Sequence, residues 1–71
     1  MKLDTFEWAV LRLIAERPLT IGTVVTQKDF EMMVALAKLV HLALATTRAD
    51  DQSMEYAITP AGRRALFTVA A

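Results

Sequence analysis

The spacing of the apolar residues changes twice along this chain, and each change marks a different kind of secondary structure. Up to about Leu42, apolar residues recur every three or four positions, as they do on the buried face of a helix. From Met54 to Ile58 they alternate with other residues, which is typical of a strand. Thr59-Pro60 then places a capping residue before a proline, which indicates the start of another helix. These changes predict a mostly helical α+β fold.

A first helix is predicted between Asp4 and Pro18. Glu7 follows Asp4 at the spacing of a capping box, and a proline at position 18 ends the helix. The buried face is expected to consist of Phe6, Val10, Leu13 and Ile14. Apolar residues outside this face, namely Trp8, Leu11 and Ala15, indicate a second packing surface on the same helix.

The segment after the first helix has two interpretations. Leu19-Thr20-Ile21 is either a very short strand or the lead into a short second helix that Thr20 caps and that runs to residue 25. Gly22 and the β-branched residues weaken such a helix. Both interpretations stay open at this point.

A strong helix is predicted from Phe30 to about Leu42, with Asp29 as its cap and Gln27-Lys28-Asp29 as a polar turn before it. Its core side is expected to consist of Met32, Met33, Leu36, Leu39 and Val40. Its outward side is expected to consist of Glu31, Val34, Ala35, Lys38 and His41.

A β-hairpin is predicted after this helix. Its first strand is Leu44-Ala45-Thr46-Thr47, its tip is the polar stretch 48–53, and its second strand is Met54–Ile58. Met54, Tyr56 and Ile58 are expected to share the face that packs on the helices.

The chain has 71 residues, of which 55% are hydrophobic, so it is expected to form one small domain with little room for a core. A domain of this size buries only about 60% of the surface of its unfolded chain. In the last helix, Leu66 and Val69 are expected to face inward, which turns Phe67 outward. Exposed apolar surface of this kind indicates self-association or a protein partner.

Eight basic and eight acidic residues give no net charge, and no charged tail marks a nucleic-acid or membrane partner. The chain has no cysteine, which excludes disulfides and predicts a reducing compartment, the cytoplasm. Charged residues near the N-terminus interrupt any signal-peptide run, and no uncharged run approaches the roughly 18 residues of a membrane span. We therefore expect a cytoplasmic protein with no membrane segment.

The sequence offers little for catalysis or for a cofactor. Ser53 and His41 are predicted on different elements, with no orienting carboxylate indicated near both. Gly22 and Gly62 are the only glycines, which leaves no phosphate-binding loop. His41 has no cysteine or second histidine with which to share a metal ion. We expect no enzyme activity, no metal and no cofactor.

The segment Tyr56–Leu66 has an aromatic-x-apolar-Thr-x-x-Gly-Arg pattern, which resembles the end of the wing in MarR-like and PadR-like regulators. The segment Met32–Ala45 is similar to the third helix of winged helix-turn-helix domains and to the turn that follows it. The predicted order of a helix, a short helix, a longer helix, a hairpin and a last helix is also that of this family. The resemblance implies three helices, a two-stranded wing and a C-terminal helix.

The same resemblance implies a small transcription regulator that binds duplex DNA as a homodimer, with its third helix in the major groove and its wing on the backbone. The positions expected to contact DNA are Lys28, Glu31, Val34, Ala35, Lys38 and Arg48. The residues expected to join two subunits are Trp8, Leu11 and Phe67.

A second hypothesis is a winged helix that binds a protein partner, such as the transcription machinery, without reading DNA. Most residues on the outward side of the third predicted helix are not cations, whereas DNA backbones are contacted mainly by basic and small polar side chains. Asp50 and Asp51 at the hairpin tip would repel phosphate. The sequence therefore leaves both DNA and a protein as candidate partners.

Overall fold

Within residues 2–22 and 26–70, which the computed structural model describes, the chain forms three helices and three strands. The helices are α1 (Thr5–Glu16), α2 (Gln27–His41) and α3 (Pro60–Ala70), and the strands are β1 (Leu19–Ile21), β2 (Ala45–Ala49) and β3 (Met54–Ile58). The strands form an antiparallel sheet in the order β1-β3-β2. The fold is α+β, as predicted, and α1 packs against α2, α3 and β3.

The predicted capping box fixes the start of α1. The Asp4 carboxylate accepts a hydrogen bond from the backbone N–H of Glu7 (2.7 Å), and the Glu7 carboxylate accepts one from the backbone N–H of Asp4 (2.9 Å). Each carboxylate satisfies a backbone donor that the helix itself leaves without a partner. The helix ends at Glu16, shortly before Pro18.

The predicted buried face of α1 is wrong in part. Val10 and Ile14 are buried, but Phe6 and Leu13 are exposed, and Leu11 has no exposed surface (0%). The buried residues of the helix are Glu7, Val10, Leu11 and Ile14, which follow the i, i+3, i+4, i+7 spacing of a single helical face. The apolar pattern misses this face because a charged residue, Glu7, occupies its first position.

Residues 19–21 form β1, so the strand interpretation of this segment is correct. Thr20 lies opposite Glu55 in the sheet and does not cap a helix, while Leu19 and Ile21 pack against the core. The remainder of the predicted short helix, residues 23–25, lies outside the described residues. Because β1 pairs with β3, the sheet has three strands rather than the two that were expected.

The helix α2 begins three residues earlier than predicted. Thr26 is its N-cap, and the Thr26 hydroxyl oxygen accepts a hydrogen bond from the backbone N–H of Asp29 (3.1 Å). Asp29 is therefore not the cap but lies in the first turn, where the helix dipole favours its negative charge. The sequence contains two capping residue types here, and the earlier one adds a turn to the helix.

The end of α2 has the hydrogen bonds of a Schellman motif. Ala43 has a positive φ of 62°, its N–H donates to the carbonyl of Val40 (3.0 Å), and the N–H of Leu44 donates to the carbonyl of Leu39 (2.9 Å). Leu44 and Leu39 are both buried, which gives the motif its usual apolar contact. The chain thus leaves α2 in a fixed direction and enters the hairpin.

The hairpin of β2 and β3 confirms the predicted two-stranded wing, but its first strand is Ala45–Ala49 rather than residues 44–47, so the tip is shorter than predicted. Ala45 pairs with Ile58 and Ala49 with Met54, so the turn consists of residues 50–53. Tyr56 is buried, and Met54 and Ile58 pack beside it against the helices, which confirms their shared face. The hairpin closes a core centred on residues without measurable exposure, Leu11, Leu36 and Leu39.

The wing is attached to α3 through Thr59 and Gly62. The Thr59 hydroxyl donates to the carbonyl of Ala43 (2.8 Å) and accepts from the N–H of Gly62 (3.0 Å). The N–H of Thr59 donates to the carbonyl of Leu44 (3.1 Å). Thr59 therefore caps α3 and at the same time joins it to the end of α2, which gives the Thr-x-x-Gly pattern a structural role.

Candidate recognition surface

The outward side of α2 is less suited to DNA than the sequence suggested. Lys28, Glu31 and Val34 are exposed, as expected. Ala35, however, is only 3% exposed, because it lies on the side of α2 that belongs to the core. Ala35 therefore has almost no surface with which to contact a base, and this part of the predicted DNA interface is wrong.

Lys38 is engaged in an ion pair within the domain. Its ammonium group lies 3.0 Å from the Glu7 carboxylate and 3.3 Å from the backbone carbonyl of Lys2. The same Glu7 oxygen accepts the capping hydrogen bond at the start of α1. Lys38 thus joins α2 to the N-terminus of α1, and its charge is partly balanced before any phosphate approaches.

The wing carries more negative than positive charge near its tip. Arg48 lies in β2 rather than in the tip, and it is directly opposite Glu55 in the sheet. The Asp50 carboxylate accepts hydrogen bonds from the N–H groups of Gln52 (2.9 Å) and Ser53 (2.8 Å) and from the Ser53 hydroxyl (3.0 Å). These hydrogen bonds hold the pKa of Asp50 below its ordinary value, and the bond from the Gln52 N–H contributes most. This exposed carboxylate is therefore charged at neutral pH.

An apolar groove lies between α1 and α2. Phe30 and Val34 are each 54% exposed, and with the exposed ring of Phe6 they form its apolar wall. The groove measures about 270 Å³, and its other lining residues are Asp4, Glu7, Gln27, Glu31 and Ala35. We call this set of eight residues the α1–α2 groove. Asp4 and Glu31 place two exposed carboxylates beside the apolar wall.

The apolar pattern of the sequence does not indicate this groove, because it predicts Phe6 in the core and Phe30 only as the first residue of a helix. Phe30 and Val34 are four residues apart, so they lie next to each other on the surface of α2. That spacing is a signal in the sequence, but only the packing angle between α1 and α2 reveals that Phe6 stands beside them.

No described helix precedes α2 across a short turn. A helix-turn-helix unit has two helices joined by a turn of three or four residues. β1 ends at Ile21 and α2 begins at Gln27, so five residues, 22–26, separate the two elements. Residues 23–25 of this connection lie outside the described residues, so the described part of the chain holds α2 without a helix directly before it.

The three residues predicted to join two subunits differ in their surroundings. Leu11 is completely buried inside its own domain, so it offers no surface to a second subunit, and its assignment is wrong. Trp8 is half-buried and packs against the core. Phe67 is 78% exposed on α3, and the exposed Arg63 and Arg64 lie one helical turn before it.

The described residues contain no group of three His, Cys, Asp or Glu side chains that would hold a metal ion. None of the described helices is long and apolar enough to cross a membrane. His41 is exposed at the end of α2, whereas Ser53 lies in the wing turn and binds Asp50. The absence of enzyme activity stays a prediction.

The arrangement of helices and wing is similar to that of a solved structure. That structure is a chain of the RosR-S1 complex, a transcription regulator of the winged-helix type. The superposition of the two chains has a TM-score of 0.81. The chain has a winged-helix fold. The alignment covers 96% of this winged-helix chain and 70% of the RosR-S1 chain at 21% sequence identity, which is a likeness of fold. No family model matches the sequence, and no curated protein matches it.

Proposed function

We propose that this protein is a transcription regulator that binds a helical segment of a protein partner in the α1–α2 groove. The observation that carries this proposal is the exposed surface of α2, where Phe30 and Val34 lie next to each other and face solvent. Few cations on this surface are available to contact DNA phosphates, because Lys38 is already paired with Glu7. An apolar patch on a polar surface is typical of a protein contact.

The shape and charge of the groove indicate the chemistry of the partner. Its volume of about 270 Å³ has room for a few side chains of a partner. A groove between two helices accepts the apolar face of a third helix. Asp4 and Glu31 beside the apolar wall favour basic residues next to that face. The expected partner segment is therefore a basic amphipathic helix.

Binding of a synthetic helical peptide tests this proposal. The peptide carries leucine on one face and arginine on the other, and its binding is followed through the backbone amide resonances of the full chain. We expect the shifts to concentrate at Phe6, Phe30 and Val34. Val34→Glu is expected to weaken binding at least about tenfold, because it places a carboxylate against apolar side chains.

Ala37→Glu is the matched control, because Ala37 is exposed on the same helix but does not line the groove. It is expected to change the affinity for the peptide by less than about twofold, as most exposed substitutions away from a contact do. A peptide with glutamate in place of arginine is expected to bind more weakly. Equal effects of the two variants, or shifts spread over the whole chain, would contradict the proposal.

A second candidate function is binding of duplex DNA as a homodimer. It is supported by the likeness to the transcription regulator RosR-S1 and by the exposed cations Lys28 and Arg48 on α2 and β2. Two phosphate contacts per subunit predict that affinity falls about 12-fold between 50 and 200 mM salt, and about 150-fold for a dimer with four contacts. Titration of a labelled duplex at the two salt concentrations measures this fall.

Lys28→Ala and Arg48→Ala are expected to weaken DNA binding if this second candidate holds, whereas Arg12→Ala, an exposed cation on α1, serves as the control. An affinity that does not depend on salt, or equal losses in all three variants, would exclude these contacts. An affinity for DNA with the expected salt dependence that survives Val34→Glu would separate DNA binding from the groove.

A further inference from the structure

The deepest part of the α1–α2 groove contains a charged residue. Of the eight lining residues only Ala35 and Glu7 are buried, with 3% and 9% of their surface exposed, so these two side chains form the floor of the groove. Glu7 is also the only buried polar or charged residue in the described part of the chain. Because a buried carboxylate is costly unless it is paired, the partners of Glu7 decide which side chains this floor accepts.

The hydrogen bonds of the Glu7 carboxylate all lie on one of its two oxygens. Oε1 accepts a hydrogen bond from the Lys38 ammonium group (3.0 Å) and another from the backbone N–H of Asp4 (2.9 Å). Oε2 accepts none from the described residues, and it is not enclosed, since no buried side-chain oxygen among those residues lacks a partner. The second oxygen is therefore able to accept a donor from another molecule.

Lys38 reaches Glu7 without entering the groove. Lys38 is not one of the lining residues, 43% of its side chain is exposed, and it follows Val34 by one helical turn on α2. Its ammonium group is also 3.3 Å from the backbone carbonyl oxygen of Lys2. The ion pair thus balances the charge of the floor and leaves the groove open to a partner.

We propose that the Lys38–Glu7 ion pair determines which side chain of the partner helix the groove accepts. While Lys38 balances Glu7, an apolar side chain meets no uncompensated charge at the floor. An ammonium group in the same place would lose its hydration and meet the like charge of Lys38. Basic residues of the partner are then confined to the exposed Asp4 and Glu31 beside the apolar wall. This inference rests on the proposed function, because it names the selectivity of the same groove.

Two peptides that differ in one ammonium group test the inference. Both are the leucine–arginine helix that tests the proposed function, with its central leucine replaced by norleucine in one peptide and by lysine in the other. Titrations followed through the amide resonances of the full chain give the two dissociation constants. The wild-type chain is expected to bind the norleucine peptide at least about tenfold more tightly than the lysine peptide.

Lys38→Met is expected to lower this norleucine preference at least about tenfold. The variant leaves the Glu7 carboxylate as a largely buried charge without its cation, and the lysine peptide supplies an ammonium group to replace it. If the ion pair only held the domain together, Lys38→Met would weaken both peptides by the same factor. An unchanged ratio in the folded variant would therefore contradict the inference.

Glu7→Gln separates the charge of Glu7 from its role at the start of α1. Glutamine also serves at this position of a capping box, so the helix start is kept while the charge is removed. The double variant Glu7→Gln/Lys38→Met is expected to keep a norleucine preference of at least about tenfold, because no carboxylate remains at the floor. A gain of the lysine peptide as large as in Lys38→Met would show that another group attracts it and would overturn the inference.

Glu7→Gln alone carries the test if Lys38→Met does not fold. The charge of Lys38 then has no carboxylate to balance it and repels a second ammonium group, so the norleucine preference is expected to rise at least about threefold. Arg12→Met is the matched control, since Arg12 is an exposed cation that neither lines the groove nor pairs with Glu7. It is expected to change the ratio by less than about twofold. Equal ratios in Glu7→Gln and Arg12→Met would contradict the inference.

The ratio of the two affinities separates this inference from the proposed function. If the norleucine peptide binds the groove and the ratio is the same in the wild-type chain and in Lys38→Met, the groove accepts a helix but the ion pair does not select it. Only the inference is then wrong. If neither peptide binds either chain, the proposed function and the inference are both wrong.

Discussion

Gly62→Ala is expected to destabilise this protein by at least about 3 kcal/mol, at or above the upper end of the usual cost of overpacking. A methyl group at this position would overlap the carbonyl oxygen of Leu44 and would come within 2.7 Å of the Ile58 side chain. The side chain of Ile58 can shift, but the Leu44 carbonyl cannot move freely because it accepts the hydrogen bond of the Thr59 N–H. The first turn of α3 must therefore move away from the wing.

Urea unfolding measured by circular dichroism gives the size of this effect. A 71-residue domain has a stability of about 4–11 kcal/mol at 0.05–0.15 kcal/mol per residue, so the variant loses a large share of it. Gly22→Ala is the matched control, because a methyl group there would meet no atom of the described residues within 4 Å. It is expected to change the free energy of unfolding by less than about 0.5 kcal/mol. Equal stabilities of the two variants would show that α3 does not approach Leu44 closely.

Local motifs of this protein could be predicted from the sequence. The capping box of Asp4 and Glu7, the start of α3 at Pro60 and the alternation in β3 depend on residues close together in the sequence. The sequence also contains the Thr-x-x-Gly pattern at the end of the hairpin, although its likeness to the wing of MarR-like and PadR-like regulators stays a resemblance. The reason for the glycine in it is a close approach to Leu44, a residue distant in the sequence, and so it required the structure.

The errors occurred where the answer depends on packing between helices. The apolar pattern of α1 fits two neighbouring faces, and the pairing of Glu7 with Lys38 makes it possible to bury the face that contains a carboxylate. An ion pair between residues 31 positions apart is not visible in a local pattern. The α1–α2 groove was missed for the same reason, because Phe6 reaches Phe30 and Val34 only once the two helices are packed.

The Thr26 cap and the burial of Ala35 are two further features that the sequence could not predict. Thr26 and Asp29 both have the chemistry of a cap, and the sequence does not decide which of them the helix uses. Ala35 is small enough to fit either side of α2, so its apolar character does not determine whether it faces α1 or solvent. Candidate recognition residues of small or ambiguous type therefore need the structure before they can be assigned.

Leu11→Ala has the second large expected effect, a loss of about 2–5 kcal/mol in the free energy of unfolding. Leu11 has no exposed surface and belongs to the core cluster with Leu36 and Leu39, so removing its side chain leaves a cavity that its neighbours fill only in part. Leu13→Ala is the matched control on the same helix, because Leu13 is exposed. It is expected to cost clearly less than Leu11→Ala, because Leu13 keeps 40% of its surface exposed and its removal leaves no enclosed cavity.

Unfolding at two protein concentrations separates a core role of Leu11 from the subunit contact that the sequence suggested. A buried core residue stabilises each chain independently, so the loss in Leu11→Ala is expected to be the same at about 5 µM and about 500 µM protein. A subunit contact would instead give a loss that grows with concentration, because dimerisation stabilises the folded state by mass action. Phe67→Ala is expected to show that concentration dependence, and Leu11→Ala is expected to lack it.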